Sequence, residues 1–251
     1  MFSFLYQNIG GAIIIPLWWM FLHHASAETS YFSSGRVVPL PYARVILPAT
    51  VLLFVIPSIA LFVPGSSLVT LQNLLAFWQL TPVFVNIPLW FASPFVSSAP
   101  AATASKTRNA DLPHLRFLYA VVFFISVAVH WFTIYGISTS TNPELSFSSV
   151  FLPDASKWKT TLDWGLMWIF QWDWIIIAVA AHFLPAWIAV YDVQRLLQGG
   201  ATSVQLMQGA GTIAALTLLG GPAAALAAVW GWREEKLAVI GKRLGTGKKG
   251  L

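Results

Sequence analysis

Residues 163–191 read DWGLMWIFQWDWIIIAVAAHFLPAWIAVY, and this stretch decides the class of fold. It is longer than the roughly 20 apolar residues that an α-helix needs to cross a bilayer. Between its first residue and its terminal Tyr191, its ionisable side chains are Asp173 and His182. The stretch therefore predicts a membrane-spanning helix that is long enough to tilt or to include an interfacial turn.

The composition of the whole chain agrees with a membrane protein. Hydrophobic residues make up 57% of the 251 residues and charged residues only 9%, whereas about a quarter of a soluble domain is charged. The chain has no Cys, which argues against a disulfide scaffold and against a thiolate metal site. The basic residues are not gathered on one domain, so the net charge of +5 does not predict a nucleic-acid partner.

Further apolar stretches lie on both sides of this one. They cover about residues 4–22, 45–63, 74–95, 118–135 and 204–230. We therefore predict an all-α fold, a polytopic transmembrane helix bundle of about six spans. The bundle should form a single domain over residues 1–232. A basic C-terminal tail follows at 233–251, and its charges suit an anionic lipid surface.

Prolines and small residues predict where these helices are irregular. Pro48 and Pro57 predict kinks in the second stretch, and Pro82 and Pro88 predict interruptions of the third. The sixth stretch is rich in glycine and alanine, which let helix backbones approach closely, so it should pack centrally. Residues 97–110 are typical of a flexible connector.

Three aspartates are candidate functional residues, because an ionisable side chain at membrane depth is costly. Asp173 is the first, since a carboxyl in a low-dielectric setting favours its protonated form and can act as a general acid. The alternative places Asp173 in an aromatic belt at an interface. Asp163 is the second candidate acid, and its alternative role is to favour the helix dipole at a helix start. Asp192 is interpreted as half of an exposed ion pair with Arg195.

Two histidines, His130 and His182, are also predicted to lie at membrane depth. Each either makes a structural hydrogen bond inside the bundle or takes part in proton transfer or substrate contact. His182 follows Asp173 by nine residues, which places the two on opposite faces of an ideal helix. The adjacent His23 and His24 point to different faces, so they do not predict a metal site.

The 13 tryptophans exceed what packing alone demands. Trp164, Trp168 and Trp172 recur every four residues and form one stripe on the fifth helix. One interpretation is an interfacial anchor combined with core packing. The other is a cavity wall whose π faces stabilise a passing cation.

Motifs for several other kinds of chemistry are absent from the sequence. Acidic residues are adjacent only at Glu234-Glu235, so no Asp-rich motif for a metal–diphosphate group is present. A Gly-x-Ser-x-Gly nucleophile elbow and an HExxH zinc motif are also missing. We therefore predict neither nucleophilic nor metal-assisted chemistry, and no cofactor.

Two stretches resemble a known family. Residues 5–17, LYQNIGGAIIIPL, and residues 38–49, VPLPYARVILPA, are similar to the fungal integral-membrane terpene cyclases of the ascofuranone-pathway type. The resemblance extends loosely over most of the chain and implies a multi-helix enzyme that cyclises a prenylated meroterpenoid. Such enzymes protonate an epoxide or a terminal alkene, and aromatic residues guide the resulting carbocation. The chain is short for that family, which allows for missing N-terminal helices.

The resemblance and the residues lead to one combined hypothesis. Asp173 is the predicted acid, with Asp163 as second choice, and Trp168, Trp172, Trp174 and His130 are predicted to line the pocket. The predicted partners are a lipophilic prenylated small molecule and membrane lipid, in the endoplasmic reticulum membrane. The alternatives are a non-enzymatic polytopic protein, such as a lipid-binding or assembly subunit, and a small transporter.

Overall fold

The computed structural model describes residues 2–28, 31, 37–63, 65–96 and 109–247, with residues 242–247 as backbone only. All the regular secondary structure of these residues is helical. In the first half of the chain the helices are α1 Phe2–Ile9, α2 Gly11–Ala25, α3 Leu40–Thr50, α4 Ile56–Ala60, α5 Leu68–Trp78, α6 Thr81–Phe84 and α7 Asn86–Ala92. In the second half they are α8 Leu112–Thr139, α9 Phe147–Phe151, α10 Leu162–Ile176, α11 Leu184–Gln198, α12 Ser203–Gly220 and α13 Pro222–Gly247.

Among the described residues, three continuous helical stretches are long and apolar enough to cross a membrane. They are Leu40–Ala60, Leu112–Thr139 and Leu162–Gln198, the last with 37 residues. A fourth forms if Leu68–Trp78 and Thr81–Phe95, which meet at a bend of 41°, are counted as one broken span. The all-α membrane fold is therefore confirmed, while the predicted number of six spans stays a prediction.

Two of the predicted spans are divided by glycines, which corrects their predicted continuity. Gly10 ends α1 with a φ of +120°, and Gly221 separates α12 from α13 with a φ of +87°. L-residues rarely adopt these values, so the helical path stops there. At Gly221 the break is reinforced by Pro222, because a residue before proline is driven out of the helical region.

Prolines also shape the spans that remain continuous. The turn at Val51–Val55, here the first π turn, is π-helical and ends two residues before Pro57. The turn at Ile177–Phe183, the second π turn, stands in the same relation to Pro185. A proline lacks the N–H that would bond one turn back and its ring crowds that turn, so a wider turn relieves both problems. The predicted interruption at Pro82 coincides with the 41° bend.

The chain divides into two compact units. One contains Gly11–Ala25 and Tyr119–Ile240, and the other contains the remaining described residues. The predicted boundary at residue 232 stays a prediction, and α13 runs through it to Gly247. Residues 97–108 of the predicted connector lie outside the described residues.

In the first-named unit, α11, α12 and α13 form a core. Ala186, Ala189, Ile213, Ala225 and Val229 are buried together there. A Cβ at Gly209 would lie 3.0 Å from a methyl carbon of Val190, so glycine allows α12 and α11 to approach closely. Small residues of the predicted sixth span therefore contribute to this core at Gly209 and Ala225, whereas Gly211, Ala214 and Ala215 are exposed.

The other unit is held by hydrogen bonds as well as apolar contacts. The indole N–H of Trp78 donates to the Ser58 hydroxyl at 2.8 Å, and that hydroxyl donates to the Phe54 carbonyl at 2.7 Å. The Asp111 side chain is buried and accepts the backbone N–H of Val38 at 3.0 Å. These bonds fix α4, α5 and the start of α8 within the unit.

Candidate active site

The larger compact unit contains an open cavity of about 630 Å³, here the aromatic cavity. This volume falls within the usual range for a small-molecule site. The walls come from α8, the end of α9, the α10–second π turn segment and the α12–α13 junction. They are formed by Ile125, Ser126, Val129, His130, Trp131, Thr133, Ile134, Phe151, Trp174, Ile177, Ala178, His182, Thr217, Leu218, Gly220, Gly221, Pro222 and Ala223. The lining is mostly apolar, and its titratable side chains are the two histidines.

The His130 ring is held by the α12–α13 junction. Its Nε2 lies 3.1 Å from the Leu218 carbonyl oxygen. A carbonyl only accepts, so Nε2 carries the hydrogen and donates. A Cβ added at Gly221 would lie 3.2 Å from His130 Nδ1, so only glycine leaves space for the ring. The predicted pocket residue His130 does line the aromatic cavity.

The His182 ring is held by the second π turn. Its Nδ1 lies 2.9 Å from the Ile177 carbonyl oxygen, five residues earlier in the chain. By the same argument Nδ1 donates, which leaves Nε2 with its lone pair. Both histidines of the sequence hypothesis therefore line one cavity, with different nitrogens bonded to the backbone.

Aromatic rings supply much of the cavity wall. The Trp174 ring is 46% exposed and lies 5.2 Å, centroid to centroid, from the Phe151 ring. Phe151 is positioned by Gln171, whose buried amide donates to the Ser149 carbonyl at 2.7 Å and to the Leu152 carbonyl at 3.2 Å. These bonds tie the short helix α9 to α10 and keep Phe151 against Trp174.

Asp173 lies next to Trp174 but is not part of the cavity lining. Its Oδ1 accepts the backbone N–H of Ala12 at 3.0 Å, in the first turn of α2. The first N–H groups of a helix have no intrahelical partner, so the Asp173 carboxyl oxygen satisfies one of them. The neighbouring Gly11 lies so near that its Cβ would be 3.2 Å from the Ile177 side chain.

The other predicted site residues lie elsewhere on α10. Asp163 is exposed in the first turn, where the Thr161 side chain caps the helix. Trp168 stacks on Trp158 at 5.3 Å and meets Trp172 edge-on at 6.2 Å, outside the aromatic cavity. The predicted tryptophan stripe thus continues through Trp158 into the preceding loop, where Lys157 lies 4.5 Å above the Trp164 ring centroid.

That loop borders a second, more polar cavity of about 430 Å³, next to Gln171. Asp154 lies in its wall and accepts hydrogen bonds from the Ser156 N–H and hydroxyl. These bonds lower the pKa of the Asp154 carboxyl, because they stabilise its charged form. The carboxyl is exposed and is not a candidate for a protonated acid.

A family model described as the CtvD domain matches residues 1–238. The chain belongs to the CtvD family. This CtvD-family chain is 27% identical to terpene cyclase ascI of Acremonium egyptiacum over 71% of its length, and 25% identical to terpene cyclase ctvD of Aspergillus terreus over 94%. It is also 28% identical to FAD-dependent monooxygenase verC1 of Penicillium polonicum over 95% of its length.

The family resemblance predicted from residues 5–17 and 38–49 is therefore confirmed. The chain spans 48% of the ascI protein, 28% of the verC1 protein and 66% of the ctvD protein. No solved structure matches the CtvD-family chain.

Sequence reasoning missed a buried ionic group in this CtvD-family chain. Asp192 does pair with Arg195 at 2.9 Å, but it is only 6% exposed, so the predicted exposure is wrong. Arg233 and Glu234 pair at 2.9 Å and are equally buried, with the Arg233 guanidinium 4.6 Å from the Trp230 ring centroid. Their adjacency in sequence gave no signal of burial, since charged residues at a helix end are usually solvated.

Proposed function

We propose that this CtvD-family protein is a membrane-bound terpene cyclase that cyclises a prenylated aromatic compound, a meroterpenoid, through a carbocation. The observation that carries this proposal is the aromatic cavity, in a chain whose relatives include two proteins named terpene cyclase. An apolar cavity of about 630 Å³ suits a lipophilic substrate that partitions into the bilayer. No cofactor enters the proposed reaction.

The cavity supplies what a carbocation reaction requires. A positive charge is stabilised by the π face of an aromatic ring within about 6 Å. Trp174, Trp131 and Phe151 present such faces around an otherwise apolar space. In a bilayer, the lipid around this open apolar wall keeps bulk water away, and water would otherwise capture the cation before the ring closes.

The initiating acid in this proposal is Asp173. Its proton passes to the oxygen of a substrate epoxide, the C–O bond breaks, and a substrate alkene attacks the electron-poor carbon to close the ring. For a terminal alkene the proton passes to carbon instead. The sequence position supports Asp173, because it adjoins Trp174 and precedes Ile177 by one helical turn, and both of these residues line the cavity. Asp163 remains the second choice.

The test is product analysis of microsomes that contain the chain, fed a farnesylated phenol epoxide. The wild type should form a cyclised isomer of unchanged mass. Asp173→Asn keeps an oxygen that accepts the Ala12 N–H but removes the acid, so it should lower product formation roughly 100-fold or more. Asp154→Asn is the matched control, and Asp163→Asn tests the second choice. If Asp173→Asn retains full turnover, Asp173 is not the acid.

One observation favours the non-enzymatic alternative. The bond from Ala12 to Asp173 is a structural role that needs no catalysis. In that case Asp173→Ala should lower the thermal unfolding temperature in detergent while Asp173→Asn does not, and no chain should convert the substrate. Membrane fractionation tests the proposed location, since the wild type should co-sediment with endoplasmic-reticulum markers and resist extraction by carbonate.

A further inference from the structure

We propose that Nε2 of His182 is the base that removes the final proton of the cyclisation. This inference rests on the proposed cyclase function and names the group that carries out the last step of the reaction. An acid-initiated cascade consumes a proton at its start and leaves a carbocation at its end. A group that accepts a proton must therefore lie beside the cation, and Asp173 as proton donor does not explain this second role.

The Ile177 carbonyl fixes the tautomer of His182. Since a carbonyl oxygen accepts and never donates, the nitrogen 2.9 Å from it, Nδ1, carries the hydrogen. The neutral ring then has its lone pair on Nε2. Among the described residues no hydrogen-bond partner occupies Nε2, so this nitrogen is free to take a proton.

The second π turn holds this ring in the cavity wall. His182 and Ile177 belong to the same widened turn, and both line the aromatic cavity together with Trp174 of the preceding helix. The turn precedes Pro185, whose missing N–H sets its position in the span. A base bonded to its own backbone is oriented without help from a mobile neighbour.

His130 lines the same cavity, but it bonds the backbone through its other ring nitrogen. Its Nε2 is used for the Leu218 carbonyl, and a Cβ added at Gly221 would lie 3.2 Å from its Nδ1. The tautomer of His130 is therefore the reverse of that of His182, with its acceptor nitrogen next to the α12–α13 junction.

The step balances without a further reactant. Nε2 of His182 takes a proton from the carbon next to the cation, and the C–H electron pair becomes the π bond of a new alkene. The ring becomes an imidazolium, which gives its proton to water after the product leaves, while the Asp173 carboxylate takes up a proton from water. The net reaction is an isomerisation.

The experiment compares His182→Asn with His24→Asn, at an exposed histidine that does not line the cavity, in microsomes fed the farnesylated phenol epoxide. The amide in His182→Asn retains a donor in place of Nδ1, so this variant keeps the bond to the Ile177 carbonyl and loses the imidazole. We measure substrate consumption, the wild-type product, and alcohols labelled by ¹⁸O from the water. In His182→Asn the wild-type product should fall roughly 100-fold, with water-trapped alcohols or misplaced alkenes in its place.

His24→Asn should keep the wild-type product ratio. A second variant, His182→Phe, fills the ring volume without a polar atom and should give the same altered products. If His182 variants that retain the wild-type unfolding temperature make the wild-type product ratio, the proposal is overturned. If the wild-type chain itself converts no substrate, the cyclase function fails first, and the role of His182 fails with it.

Discussion

The two π turns among the described residues both precede a proline, but they differ in how the polar side chains beside them are hydrogen-bonded. Val51–Val55 lies before Pro57 and Ile177–Phe183 lies before Pro185, at the same spacing in each span. In each case a side chain donates to a carbonyl of the widened turn: Ser58 to Phe54 in one span and His182 to Ile177 in the other. The backbone device is therefore shared.

The difference lies in the remaining hydrogen-bonding capacity of those two side chains. The Ser58 hydroxyl also accepts the Trp78 indole N–H, so it is used as both donor and acceptor. His182 keeps Nε2 without a partner among the described residues, in the wall of a cavity. A π turn is thus not functional by itself, and its role follows from whether its polar side chain is fully paired.

The largest expected effect is a loss of product formation in Pro185→Ala that Pro57→Ala does not share. Pro185→Ala restores an N–H and lets the second π turn rewind, which moves His182 relative to Ile177. A displacement of about 1 Å in an active site lowers rate roughly 100-fold, so product formation should fall by that order. Pro57→Ala should leave product formation near the wild-type level, because its turn contributes no residue to the aromatic cavity. Equal losses in both variants would contradict the comparison.

The next effect concerns the tryptophan beside each turn. Trp174→Leu removes a π face from the cavity and should lower the rate of product formation about tenfold, the value of one cation–π contact. Trp78→Phe keeps its ring contact with Phe54 but loses the N–H donor to Ser58, so it should affect stability and not the products. Initial rates in microsomes of matched expression measure both.

Two glycines with positive φ allow the stability cost of a side chain to be compared between the two regions. Gly65 has a φ of +80° and open space around it, whereas Gly221 has a φ of +87°, a ψ of 160° and the His130 ring beside it. Gly65→Ala should cost about 1 kcal/mol and Gly221→Ala about 2–3 kcal/mol in free energy of unfolding. Unfolding titrations in detergent measure these values. A smaller cost at Gly221 would mean that the junction adapts to a side chain.

A modest effect on stability alone is expected at Ser58. Ser58→Ala leaves the Trp78 indole N–H without its acceptor, so it should cost about 1–2 kcal/mol in free energy of unfolding. Product identity and ratio should not change. An altered product ratio in this variant would show that the first π turn also has a role in the reaction.

Local features of the sequence predicted the helical fold and its longest span. The apolar length of residues 163–191 and the position of Pro82 are properties of short segments, and both were predicted correctly. The breaks at Gly10 and Gly221 were missed, because a glycine inside an apolar stretch is also compatible with a continuous helix. Pro185 was visible in the sequence, but the wider turn before it depends on backbone geometry.

The candidate site was harder to predict, because its contacts join distant parts of the chain. Asp173 binds Ala12, which is 161 residues away, and no periodicity reports such a bond. His130 and Trp174 were predicted as pocket residues and line one cavity, while Trp168 and Trp172 form a ladder outside it. Which face of a helix meets a cavity is decided by its neighbours, not by its own sequence.

The order in which the ribosome makes the chain has a consequence for the aromatic cavity. Its walls come from residues 125–134, then Phe151, then residues 174–182, and last from residues 217–223. Leu218, whose carbonyl orients His130, is thus synthesised 88 residues after that ring. A nascent chain that has emerged only as far as α11 contains His130 and His182 but lacks one wall of the cavity, so the cavity is complete only after the α12–α13 junction has been made.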